Sequence, residues 1–178
     1  EEPETAALLR AFNEFDPHVF IDCHITNGSY HRYIITYGGP RNPAGDAELN
    51  TFARERMFPE IDAAFEKTTG LNAFWYGSFE GEFGQAERGH TRWESYPAEP
   101  RFGTTYYGLR NRLSVLVESY TYAPYQQRVE ATRAYVLETL KWTAAHSREV
   151  IELARDADLR TNMKGELMDE PDDLVALR

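Results

Sequence analysis

From Pro3 to Phe15 apolar residues recur at helical spacing (Ala7, Leu8, Ala11, Phe12, Phe15), and Asp16-Pro17 stops the run. The compact apolar stretch Val19-Phe20-Ile21 then passes into Asp22-Cys23-His24 and reads as a buried strand ending at polar residues. Asn27-Gly28-Ser29 marks a turn, and Tyr30 to Tyr37 is a second extended segment closed by Gly38-Gly39-Pro40. Asp46 to Lys67 carries an apolar stripe (Leu49, Phe52, Ala53, Ile61, Ala64, Phe65) and predicts one helix capped by Asp46 and kinked at Pro59. Asn72 to Phe79 is a third extended segment, and Glu80 to Phe102 a long polar stretch of the kind that compact domains keep for a use. A short helix is expected over Thr104 to Asn111. Leu113 to Val117 is the most strand-like run and ends at Glu118. Tyr125 to Arg155 predicts one long helix, and from Asp156 the pattern dissolves into an acidic linker.

The alternation of helix and strand argues for an α/β fold layered helix/mixed-sheet/helix. Ligand sites in such sheets lie at the carboxyl ends of strands. Two strands here end in ionisable residues, His24 and Glu118. Asp-X-His at a strand end suits a metal: the imidazole supplies a neutral nitrogen, and the carboxylate orients the ring or shares the ion. The competing reading of His24 is a histidine at the core edge, hydrogen-bonded to the turn. A carboxylate at the end of a buried strand is costly unless paired or functional, and desolvation would suit Glu118 to act as a general base. Its competing reading is a salt bridge to Arg110, Arg112 or Arg128. His146-Ser147-Arg148-Glu149 matches His-X-X-Glu, but so late in a long amphipathic helix it reads as solvated surface.

Charge and composition narrow the partners. The 178 residues are 42% hydrophobic and 13% aromatic, which excludes disorder and gives one domain-sized core. A formal net charge of −10 argues against nucleic acid as a partner. No apolar run approaches the ~20 residues of a membrane span, so no membrane insertion is expected. The single cysteine, Cys23, excludes an internal disulfide.

Three stretches, in order, resemble the C-terminal half of the zinc metallocarboxypeptidase catalytic domain. Asp22-Cys23-His24, followed by Tyr30 to Tyr37-Gly38, looks like the strand with that family's third zinc ligand and the tyrosine-glycine closing the next segment. Thr69-Gly70-Leu71-Asn72-Ala73-Phe74-Trp75-Tyr76-Gly77-Ser78 is similar to a following segment. Gly108-Leu109-Arg110-Asn111-Arg112, with Leu113 to Glu118, looks like the last site strand, whose terminal glutamate is the general base. The wording is closer to divergent bacterial members, which favours a periplasmic or secreted setting.

The resemblance implies a C-terminal portion of a zinc-carboxypeptidase-like fold that hydrolyses peptide C-terminal or related amide bonds. In it His24 is a zinc ligand, Glu118 the catalytic carboxylate and Tyr96 the substrate-positioning tyrosine. Arg101, Arg110 or Arg112 would hold a substrate carboxylate through the guanidinium fork. The family's first two zinc ligands form a His-X-X-Glu pair upstream of the third, and the 23 residues before His24 hold none. The expectation is therefore a catalytic-domain portion over residues 1–157, supplying one ligand and the base, with an acidic linker or a following segment over 158–178. The alternative is a carboxypeptidase-like peptide-binding module that lacks the metal site.

Overall fold

A computed structural model describes residues 2–79 and 92–166. Helix α1 (Pro3–Phe15) starts on a proline, where a missing N–H costs no bond, and ends at Asp16 in the left-handed conformation (φ 42°). Its one buried residue, Phe12, stacks against Tyr107 with ring centroids 4.3 Å apart. Strand β1 (Val19–Ile25) follows, then β2 (Ile35–Gly38). The expected extended run from Tyr30 pairs only from Ile35 onward. Before that the chain turns at Gly28 (φ 95°), and Tyr30 leaves the sheet to stack flat on Tyr122 at 4.4 Å.

The single helix expected over Asp46–Lys67 is three pieces: α2 (Ala47–Phe52), a π-helical turn (Ala53–Met57) and α3 (Phe58–Thr69). Asp46 does cap α2, its Oδ1 accepting from the Leu49 N–H at 2.9 Å. Pro59 brings no N–H to the ladder, and it falls in the first turn of α3, directly after the widened turn, where a missing N–H is tolerated. Strand β3 (Ala73–Trp75) is separated from β4 (Ser78–Phe79) by Gly77. A Cβ on Gly77 would stand 2.3 Å from the Glu94 carbonyl of β5 (Trp93–Glu94), so only glycine allows the β4–β5 pairing. Helix α4 (Gly103–Leu109) leads through Asn111 (φ 57°) into β6 (Leu113–Ser119), which is buried at every position.

The predicted helix Tyr125–Arg155 divides at His146 into α5 (Tyr125–Ala145) and α6 (Ser147–Glu166). His146 leaves helical geometry, and both its backbone N–H and its ring Nδ1 lie within hydrogen-bond distance of the Trp142 carbonyl. The acidic linker expected from residue 158 falls partly within α6, and residues 167–178 lie outside those described. Ion pairs fix this helix to the body: Asp158 to Arg112 at 3.0 Å, Arg160 to Asp46 at 2.7 Å and to Glu48 at 3.0 Å, and Glu149 to Arg56.

Among the described residues the main sheet has the order β1-β6-β2-β3 and is mixed. β1 and β6 run parallel, β2 is antiparallel to β6, and β3 is parallel to β2. Alternation along β6 separates two faces. Leu113, Val115 and Val117 join Phe58, Phe65 and Tyr135 of α3 and α5 in the main core, where each fully buried aliphatic contributes roughly 1.5–3 kcal/mol. Leu116 turns the other way, toward Tyr76, Tyr96 and Phe102, while Ser114 donates to the Thr104 carbonyl of α4 at 2.6 Å. The fold is thus mixed α/β, with a mixed sheet between helices. In the core Asp62 accepts hydrogen bonds from the hydroxyls of Tyr37 and Tyr135, and burial pushes its carboxyl up to about 6.

Candidate functional site

Parallel pairing brings the carboxyl ends of β1 and β6 to one edge of the sheet, with His24 opposite Glu118 and Asp22 opposite Leu116. These four share the face away from the main core. They border a cavity of about 420 Å³ whose far wall comes from α4 and the segment preceding it. Its mouth is polar, with Asp22, His24, Asn27 and Glu118. Its floor is apolar and aromatic, with Tyr76, Tyr96, Phe102 and Leu116.

His24 and Asp22 stand half-exposed at the rim, with Nε2 of the imidazole 2.9 Å from Asp22 Oδ1. Glu118 is 4% exposed, and its Oε2 is sealed from solvent without a hydrogen-bond partner. Burial pushes its carboxyl up to about 7; the neighbouring His24 opposes this and the negative Asp22 adds to it. The arginine salt bridges weighed for Glu118 do not form. Tyr76, in the link between β3 and β4, is also buried, and its phenol is pushed up by burial, then by the charges of Glu118 and Tyr96. A carboxyl that changes charge near neutrality at the mouth of an aromatic cavity can take a proton from water and return it.

Tyr96 lines the cavity. Its hydroxyl is 2.8 Å from Thr104 Oγ1, and the Arg41 guanidinium covers its ring at 4.2 Å while donating to its carbonyl. Of the three arginines named from sequence, Arg101 borders the cavity, 70% exposed and 2.5 Å from Glu99. The structure does not bring Arg110 or Arg112 to it. Arg110 bonds Asn13 and Tyr106 at 3.1 Å each. Arg112 precedes the amino end of β6 and is held by Asp16 at 2.7 Å and Asp158 at 3.0 Å.

His146 and Glu149 face separate partners, His146 near Glu60 at 3.7 Å and Glu149 on Arg56, so the His-X-X-Glu spacing assembles no donor pair. His90 lies outside the described residues. Sequence reading did not find Tyr76, Phe102 or Thr104 as lining residues. They come from two separate segments, and the only signal for them was the glycine punctuation at Gly77 and Gly103.

No family model, curated protein or solved structure matches this chain. The donors at the rim were therefore weighed on their own chemistry. A catalytic zinc takes three protein donors and a water. Asp22 and His24 offer a carboxylate and an imidazole, and among the described residues no cluster of three or more metal-ligating side chains is found. The described residues alone fall short of a zinc site. Among them, too, no helix is long and apolar enough to cross a membrane.

Proposed function

We propose that the cavity between β1, β6 and α4 is the working site of a metallocarboxypeptidase-type hydrolase acting on peptide C-terminal or related amide bonds. The observation that carries this reading is the buried Glu118 carboxyl, its Oε2 sealed without a partner, at the shared carboxyl edge of two parallel strands, where burial pushes its titration up to about 7. In this reading Glu118 accepts the proton of the attacking water and delivers it to the departing amine. Arg101 at the rim offers a guanidinium to the substrate's terminal carboxylate, and the aromatic floor receives its side chain. Zinc is the cofactor of this reading, with His24 as one ligand.

The test is hydrolysis of a panel of blocked dipeptides in zinc-containing buffer by wild type and Glu118→Gln. Removing a general base costs typically 10²- to 10⁴-fold, and the variant is expected to lose at least that much in kcat. Full activity in Glu118→Gln would refute the role. A second reading, a peptide-binding module without the metal, is favoured by the incomplete donor set. It expects peptides with free C-termini to bind by calorimetry in the presence of a chelator, and no binding under those conditions counts against it.

A further inference from the structure

Glu118 has a second strand neighbour besides His24. Antiparallel pairing of β2 with β6 sets Thr36 directly opposite Glu118, and Gly38 opposite Leu116, on the face that carries the cavity. Directly opposed residues of such a pair hold their Cβ atoms about 4.5–5.5 Å apart, within reach of a hydroxyl and a carboxylate or of one water between them. Thr36 is 0% exposed, and its Oγ1, like Oε2 of Glu118, is sealed without a hydrogen-bond partner. Other hydroxyls nearby are engaged: Ser114 with the Thr104 carbonyl, and Tyr96 with Thr104 Oγ1.

Two orphaned polar atoms on opposed residues are each other's nearest remedy, because a buried hydroxyl or carboxylate oxygen left unpaired is costly. Valine has nearly the shape of threonine and would fill this wholly buried strand position with no polar atom to satisfy. A hydroxyl here therefore needs a partner, and the geometry offers Glu118.

We propose that Thr36 is a positioning residue: its hydroxyl donates to one buried water that in turn donates to Oε2 of Glu118, and so holds the carboxylate with its other oxygen toward the cavity. The inference rests on the reading of Glu118 as the base and names the group that aims it.

The test compares wild type, Thr36→Val and Thr36→Ser by crystallography at water-resolving resolution and by kinetics on the same peptide panel. Thr36→Val keeps the branched shape, and Thr36→Ser keeps the hydroxyl. The link from residue 36 to Oε2 is expected in wild type and Thr36→Ser. In Thr36→Val it is lost and the carboxylate turns. The expected kinetic signature is a fall in kcat of about 10- to 100-fold at nearly constant KM in Thr36→Val, recovered in Thr36→Ser. A wild-type carboxylate with no link to Thr36, or a Glu118 rotamer unchanged in Thr36→Val, overturns the proposal. If wild type hydrolyses none of the peptides, the functional reading fails, and the three crystal structures still decide the role of Thr36.

Discussion

The two ends of β6 carry opposite charges in opposite circumstances. At the amino end Arg112, 8% exposed, is saturated: Asp16 and Asp158 hold the guanidinium, and the carbonyls of Arg110 and Asn111 take further bonds. At the carboxyl end Glu118, 4% exposed, has no ion pair among the described residues, and one of its oxygens finds no partner there. One strand thus buries a charge at each end, and only one end is neutralised by its surroundings. Pairing turns a buried ion into structure, whereas a buried carboxyl left open moves its titration toward neutrality and stays available for chemistry.

Substitutions at the two ends should break this contrast in opposite directions. The largest effect expected is at Glu118. Its folded-state carboxyl sits near 7 against an ordinary value of 4.5. Below 4.5 both folded and unfolded chains hold the proton, and the group leaves stability untouched. Between 4.5 and 7 the unfolded chain ionises while the folded one keeps its proton, so stability falls by about 3 kcal/mol in all, and above 7 the loss is complete. Glu118→Gln escapes that loss. Urea titrations with chelator present should show it matching wild type at pH 4 and exceeding it by about 3 kcal/mol at pH 9. Equal stabilities at both pH values would mean that the carboxyl is not desolvated.

Arg112→Met should act the other way, lowering stability by about 2 kcal/mol at pH 7, because carbonyl and carboxylate acceptors lose their donor. The cost stays below that of a wholly buried pair since Asp16 and Asp158 are half-exposed and regain water. Hydrolysis by the folded fraction should be unchanged. A loss of kcat there would join the two ends functionally and undo the contrast. Arg101→Ala should raise KM about tenfold with little change in melting temperature, since its partner Glu99 is solvated. The smallest effect is expected at Arg110→Ala. This side chain is exposed, and its removal should shift stability by no more than about 0.5 kcal/mol and leave KM unaltered.

The strand pattern was legible because burial dictates it. That holds for Leu113 to Val117, apolar but for Ser114 and buried throughout; β1, expected as a buried strand, is half-buried from Val19 to Asp22 and exposed from Cys23 to Ile25, because it lies at the sheet edge. Tyr96 was named only through the resemblance; it lines the cavity. Helix interruptions were not legible. The π-helical turn before Pro59 and the break at His146 depend on how the backbone closes its bonds, and the apolar stripe runs on through both. Arg110 and Arg112 lie away from the cavity because a guanidinium beside a site strand in sequence can lie at either end of it in space. A seven-residue strand separates its ends by roughly 20 Å. Thr36 was hidden because its importance comes from the register of β2 on β6, which no local pattern encodes.

The sheet order begins at β1, so one side of that strand has its hydrogen-bonding groups unpaired among the described residues. Cys23, His24 and Ile25 are exposed along it. An open edge is a template for another strand. Strands sit about 4.8 Å apart, so a segment docking parallel to β1 would bring its own last residues level with His24 and Asp22. The direction in which β1 runs therefore sets what an incoming chain could contribute. Parallel docking completes the rim of the cavity, whereas antiparallel docking carries the newcomer's carboxyl end to the Asp16–Arg112 side and leaves the rim to the newcomer's first residues.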